Sequence, residues 1–563
     1  MFRPAHCHFK VLTLVLLFAV PARAAEAPVV ILQPPAPALV VIISLDQFRY
    51  DYLERFRDYY GPDGFNLFIA HGADFVDCHY RHSQTKTAPG HAVIGTGVYP
   101  NLSGIIANDW IDRHTFASVS NVGDPAVKII GLPPSGVRLP GALDPQQGRS
   151  PKNLLVPTLA DEFKLARGGR PKVIGISNKD RSAIMMSGHL ADAAYFMVDH
   201  RMVTSTYYLP QLPAWVQAWN DANKTAGYFG QVWDHVLPLA AYAVQGPDDG
   251  EGEYAGHQLG RTLPKTIDGG ETAPGREFYA AFENTPFKSE VLADFVRETI
   301  VQENLGRRGT TDILCVSFSA PDSIGHAYGP DSHEVMDNAI RTDRILAELF
   351  KFIDRRVGLK NCTLVLSADH GVAPMPEHIR WTGSPLPAGR VNLAEATTAV
   401  EAALNQACGP LASAGPWFVR DDTSLIFYPQ ALQEKKLERQ AAEGIARDAL
   451  LGLSYVQAAY TRTDLEKANV RDELGRQMLL GFNRERSGDV FFQLKPFFFP
   501  SLSTGSTHGS PYSYDTHVPL LWYGVGVTPG LRTERVGVDD LVPTLARILG
   551  VSAPPLAEGR ILF

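Results

Sequence analysis

Five runs of branched aliphatic residues constrain this chain more than any other feature. They are "LVVIISL" (39–45), "KVIGIS" (172–177), "DILCVSF" (312–318), "CTLVLS" (362–367) and "VPLLWYG" (518–524). None shows the polar–apolar alternation of a strand with one wet face. Continuous Val/Ile/Leu strands belong to sheets covered by helices on both sides. Helical patterns lie between the runs, among them the stretch from 332 to 358, where Asp331 and Glu334 have capping-box spacing. The predicted fold class is therefore α/β: a doubly wound, mostly parallel central sheet with helices on both faces. Polar residues follow the runs closely: Asp46, Lys179, Asp322 and the adjacent Asp369 and His370. Ligands of open α/β sheets bind beyond the carboxyl ends of the strands, which makes these residues the first candidates for a site.

The 563 residues suffice for one large domain with insertions. Residues of about 200–300 and 376–500 fit the strand–helix repeat less well and are read as cap insertions within a domain spanning 39–563. The first 24 residues read differently. Arg3 and Lys10 precede the apolar run 11–20, and Ala22 and Ala24 follow it at the two positions a signal peptidase reads. A signal peptide over 1–24 and a Pro-rich lead-in over 25–38 are expected, with the mature protein periplasmic or secreted. No later run has 18 consecutive apolar residues, so stable membrane insertion is not expected.

Loss of residues 1–24 removes Arg3, Lys10 and Arg23 and no acid, which moves the formal charge from −8 to −11. A chain this acidic, without a basic stripe, is not expected to bind nucleic acid. The remaining cysteines, Cys78, Cys315, Cys362 and Cys408, are widely spaced and form no disulfide scaffold.

One motif falls outside the strand pattern. In "HSQTKTAPGHAVIGTG" (82–97), Pro89 just after Thr87 reads as a helix start. A hydroxyl there lies beside unpaired N–H groups and the positive end of the helix dipole. Thr87 is either a cap or, given suitable partners, a nucleophile. The partners are at hand. "DSIGH" sets Asp322 and His326 four residues apart in what reads as a loop, "DHG" sets Asp369 beside His370, and "STHGSPYSYDTHVPLLWYG" offers His508 or His517. Carboxylates and imidazoles converging from separate strands suit a two-cation centre for phosphoryl chemistry.

These residues also match a family. The chain resembles the alkaline phosphatase superfamily and, within it, the monomeric bacterial alkaline phosphatases of the PafA type. "SLDQFRYDYL", "TAPGHAVIGTG", "GIIANDWIDR", "SNKDRSAI", "SFSAPDSIGHAYGP", "SADHG" and "THGSPYSYDTHVPLLWYG" carry the resemblance, which runs over nearly all of the mature chain.

The resemblance implies two zinc ions. Asp46, Asp369 and His370 match the ligands of one, which Thr87 approaches as the nucleophile; Asp322, His326 and His508 match the ligands of the other. His508 is preferred to His517 because the family's ligand belongs to a His-Gly pair. Thr87 is preferred to Thr85 because the family's threonine directly precedes Ala-x-Gly-His. Asn108 matches the amide that hydrogen-bonds a phosphoryl oxygen, and Lys179 and Arg181 match the pair that grips a phosphate monoester. His91 is read as structural or as support for the site, and His79, His82, His189 and His333 as packing or surface residues.

The implied protein is an exported, monomeric phosphatase acting on small phosphate monoesters through a phosphothreonine. A phosphodiesterase or nucleotide pyrophosphatase on the same scaffold is the first alternative, and the Lys-Asp-Arg motif argues against it. A catalytically silent metal-binding protein is the second.

Overall fold

The computed structural model describes Met1 and residues 36–132, 147–413, 415–500 and 503–563. The expected signal peptide and most of the lead-in lie outside the described residues. The central sheet is built from β1 (Leu39–Leu45), β2 (Ala73–Phe75), β3 (Ile129–Ile130), β4 (Val173–Ser177), β5 (Ala193–Val198), β6 (Arg201–Ser205), β7 (Asp312–Phe318), β8 (Cys362–Ser367), β9 (Leu520–Gly524) and β10 (Gly530–Arg532). Across the sheet they run β10-β2-β9-β8-β1-β7-β4-β5-β6-β3.

All five aliphatic runs are strands of this sheet. β8, β1, β7, β4 and β5 are mutually parallel, with Ile42 of β1 between Cys315 of β7 and Val365 of β8. Every residue of β1 and of β7 is buried, as the unbroken apolar runs require. β9 pairs antiparallel to β8, and β6 antiparallel to β5, so the sheet is more mixed at its edges than expected. A buried strand has the same composition in either direction, and only the connection decides.

Helices connect and cover the strands. Four position the site: α1 (Thr87–Thr96), α2 (Asp180–Ser187), α3 (Ala320–Tyr328) and α4 (His333–Arg356). The N-cap of α4 is Ser332, whose hydroxyl accepts the Val335 N–H at 3.2 Å, rather than Asp331. Glu334, the expected capping-box partner, instead meets Lys265 at 2.8 Å, both fully buried.

The main core runs through the sheet and takes in Trp233, Tyr242, Phe278 and Phe282 from the 200–300 region. The 376–500 region forms a second core around Trp417, Leu425 and Phe492 under an antiparallel sheet of four strands, Phe418–Asp421, Ser424–Phe427, Val490–Leu494 and Val456–Thr461. Cys78, Cys315, Cys362 and Cys408 are free thiols. Among the described residues no helix is long and apolar enough to cross a membrane.

Candidate metal centre and nucleophile

The candidate residues converge at the carboxyl ends of the parallel strands. Asp46 follows β1, Lys179 follows β4, and Asp369 and His370 follow β8. Asp322 and His326 lie in α3, not in a loop. Pro321 starts that helix in a position that needs no N–H, and the i, i+4 spacing puts both side chains on one face.

Thr87 opens α1, and Lys86 is the N-cap residue without a side-chain cap. The threonine hydroxyl is therefore not engaged in capping; it lies 3.5 Å from His370 Nε2. Gly90 lets the helix approach the site, since a Cβ there would run into the Asp369 carbonyl. Asn108 Oδ1 accepts the Ala88 N–H at 2.8 Å, which leaves the amide NH₂ as its free donor.

Asp46, Asp369 and His370 form one close group of potential ligand atoms, and Asp322, His370 and His508 form another. His326 Nε2 is 3.3 Å from Asp322 Oδ1 and His508 Nε2 is 3.7 Å from it. The three imidazoles are oriented alike. Each turns Nδ1 to a backbone carbonyl: His370 to Gly371 (3.0 Å), His326 to Ser506 (2.8 Å) and His508 to Thr85 (2.7 Å). A carbonyl only accepts, so Nδ1 carries a proton and Nε2 is the nitrogen turned to the site, where its lone pair can be given to a cation. Burial, with His370 and His326 nearby, pushes the His508 pKa well below its ordinary value and keeps that nitrogen bare.

The carboxylates are arranged to match. Asp46 Oδ1 is buried without a hydrogen-bond donor among the described residues, and Asp369 Oδ2, equally buried, has a 3.2 Å ion-pair contact with His91. Burial and the proximity of Asp322 and Asp369 push the Asp46 carboxyl well above the usual range, against the pull of Lys179. Such crowding of uncompensated oxygens is costly without a cation. Three carboxylates and three imidazole nitrogens suit zinc.

Lys179 Nζ lies 2.7 Å from Asp46 Oδ2 and 2.5 Å from Asp322 Oδ2, so its ammonium stands between the two ligand groups. Arg181 Nε has no hydrogen-bond partner among the described residues, and the side chain is a quarter exposed. His517 lies elsewhere, stacked on His79 with ring centres 4.5 Å apart and bonded to the Val76 carbonyl at 2.8 Å.

Two supporting residues were not assigned these contacts from sequence. Gln47 has a left-handed φ of 64° and is buried. Its N–H donates to Asp369 Oδ1 (3.1 Å) and its Nε2 to Asp322 Oδ1 (2.8 Å), tying the two ligand groups together. Its place directly after Asp46 was the available signal. His91, fully buried, sits 3.2 Å from Asp369 Oδ2 and 2.9 Å from the Ser317 hydroxyl. The 376–500 region also reaches the site, through Asp422, 2.5 Å from the ammonium of Lys86.

Fold and site together define a class. Over residues 40–409 the chain matches the type I phosphodiesterase / nucleotide pyrophosphatase family, and it belongs to that family. Among its relatives is alkaline phosphatase PhoV of Synechococcus elongatus, 31% identical over 93% of this chain and 92% of PhoV. A Myroides odoratus protein named calcium-transporting ATPase is 33% identical over 92% of each chain. Alkaline phosphatase PafA of Elizabethkingia meningoseptica is 31% identical over 93% of this chain and 94% of its own. The crystal structure of wild-type PafA superposes with a TM-score of 0.86 at 30% identity, covering 94% of this chain and 98% of that one. A PafA mutant substituted at a threonine, an asparagine, a lysine and an arginine superposes equally well, also at 0.86. These similarities agree with the expected enzyme class, a phosphoric monoester hydrolase.

Proposed function

We propose that this protein is an exported, zinc-dependent alkaline phosphatase that hydrolyses phosphate monoesters through a phosphothreonine at Thr87. One observation carries the reading: a hydroxyl not engaged in capping, at the start of a buried helix, meets three carboxylates and three imidazole Nε2 atoms at one end of the sheet. Asp46, Asp369 and His370, beside Thr87, are assigned to one zinc ion, and Asp322, His326 and His508 to the other. Bound there, zinc supplies Lewis acidity that eases deprotonation of hydroxyl and water and stabilises charge on a departing oxygen.

The chain's own residues do the rest. Thr87 Oγ1, at the positive end of α1, bonds to phosphorus as the ester oxygen leaves with the electron pair and takes up a proton. Water then attacks the phosphothreonine, releasing inorganic phosphate and restoring the hydroxyl. The free amide of Asn108 donates to a phosphoryl oxygen. Arg181 offers two N–H groups to the phosphoryl oxygens, and Lys179 a point charge. Positioning and charge stabilisation supply most of the rate.

The alkaline phosphatase names of PhoV and PafA support the substrate class. The four substituted residues of the PafA mutant are of the same types as Thr87, Asn108, Lys179 and Arg181. Their separations also match: 21 positions between threonine and asparagine, two between lysine and arginine. The mature protein is proposed to act as a monomer in the periplasm or outside the cell, on small phosphate esters.

The test compares an aryl phosphate with its methyl ester as substrates of the zinc-loaded enzyme. Strong preference for the monoester is expected. Preference for the diester would favour the phosphodiesterase reading that the family description also carries.

A further inference from the structure

A second group of potential ligands lies outside this site. His235 follows the strand Gln231–Trp233, Asp248 comes shortly after in the same inserted region, and His333 is the first residue of α4. His333 Nδ1 is 3.0 Å from His235 Nε2 and 3.3 Å from Asp248 Oδ1.

Each outward nitrogen faces an acceptor. His333 Nε2 contacts the Gly246 carbonyl at 3.0 Å, and His235 Nδ1 contacts Asp234 Oδ1 at 3.3 Å. Both partners only accept, which favours the tautomer with its proton on the outward nitrogen of each ring. With those protons outward, His235 Nε2 and His333 Nδ1 turn lone pairs toward each other at 3.0 Å, and Asp248 Oδ1 lies 3.3 Å from His333 Nδ1. A cation resolves that repulsion.

The spacing fits one cation in particular. Ligands at 2.0–2.1 Å from a tetrahedral zinc stand about 3.3–3.4 Å apart; His333 Nδ1 is 3.3 Å from Asp248 Oδ1 and 3.0 Å from His235 Nε2, and all three ligand atoms lie within 4.8 Å of one another. Two imidazoles favour zinc over calcium or magnesium. The imidazoles are nearly enclosed, packed on each other and on Tyr242, while the Asp248 side chain is 23% exposed and leaves a place for water as the fourth ligand. The Leu263 N–H donates to Asp248 Oδ2 at 3.2 Å and orients the carboxylate.

The trio Asp77, His79 and His517 lacks this arrangement. Both nitrogens of His79 are engaged, with Thr516 and Asp77, and His517 Nε2 is bonded to Val76.

We infer that His235, Asp248 and His333 form a structural zinc site, separate from the catalytic centre, that fastens the inserted segment around 231–248 to the start of α4. α4 packs against α3, which carries Asp322 and His326, so the site braces the helix next to the catalytic one.

The test uses the full-length, zinc-saturated protein. Anomalous diffraction at the zinc edge should show a peak between His235 Nε2, His333 Nδ1 and Asp248 Oδ1. His235→Gln and Asp248→Asn should each lose that peak and one zinc per chain by mass spectrometry. Their thermal stability should fall while phosphatase activity persists. Absence of the peak in folded, zinc-saturated wild type would overturn the inference, as would equal zinc content in wild type and folded variants. If a variant does not fold, the wild-type map decides alone. Peaks at the catalytic residues are read separately, so failure there leaves this result interpretable.

Discussion

Thr87 Oγ1 lies 3.5 Å from His370 Nε2, at the start of a helix that has no side-chain cap. The Thr87 hydroxyl is thus not spent on capping, whereas that of Thr85 is committed to the Ser510 carbonyl at 2.8 Å. Thr87→Ala is expected to lower kcat by on the order of 10³-fold or more, as loss of a covalent nucleophile does. Thr85→Ala removes one hydrogen bond, worth about 1 kcal/mol of stability, and should change kcat little. Steady-state kinetics of the two variants check this; the reverse order would assign the nucleophile to Thr85.

In the proposed reaction, Lys179 and Arg181 are the residues that separate monoester from diester. A monoester dianion has one more unesterified oxygen than a diester, and hydrogen bonds to charged groups contribute roughly 1.5–3 kcal/mol each. The double variant Lys179→Ala/Arg181→Ala should lose on the order of 10²–10⁴ in kcat/KM for an aryl phosphate and much less for its methyl ester. Equal losses for both substrates would remove the basis for the assignment.

Dialysis against a chelator should abolish activity and zinc should restore it. Gln47, which ties Asp369 to Asp322, makes that statement sharper. Gln47→Gly tolerates the left-handed backbone yet removes the side-chain bond to Asp322. Loss of such a supporting bond weakens metal affinity by about 10–100-fold. A zinc titration of the apo-enzyme should therefore reach half-maximal activity at a correspondingly higher free zinc concentration, with kcat at saturation less affected.

The strands were largely legible in the sequence, because burial on both faces demands unbroken apolar runs, and the candidate polar residues, which stand where those runs end, come together in space. Orientation was not legible: β9 reads like its parallel neighbours but runs against β8. Asp322 and His326 read as a loop because Pro and Gly are frequent in "APDSIGHAYG", yet Pro321 sits where a helix tolerates it and Gly325 gives room to Gln47. The contacts of Gln47 and the grouping of His235 with His333 join residues far apart in the chain, which no local pattern reveals.

His82 gives a pH dependence. Burial pushes its pKa down to about 3, so the folded protein holds it neutral while the unfolded chain titrates near 6.5. For a base with a lowered folded pKa, stability from this residue is intact above about pH 6.5 and is lost as pH falls toward 3. Between pH 7 and pH 5 the loss is roughly 2 kcal/mol. Denaturation at both values should show a smaller acid-side loss for His82→Phe than for wild type. An identical loss would contradict this assignment.

The stereochemical course at phosphorus tests the central claim most directly. An isotopically chiral phosphate monoester is turned over in the presence of an acceptor alcohol, and the configuration of the transferred phosphoryl group is determined. Attack by Thr87 followed by attack on the phosphothreonine is two in-line displacements, and the account predicts net retention. Net inversion would mean a single direct displacement and would contradict a covalent intermediate on Thr87.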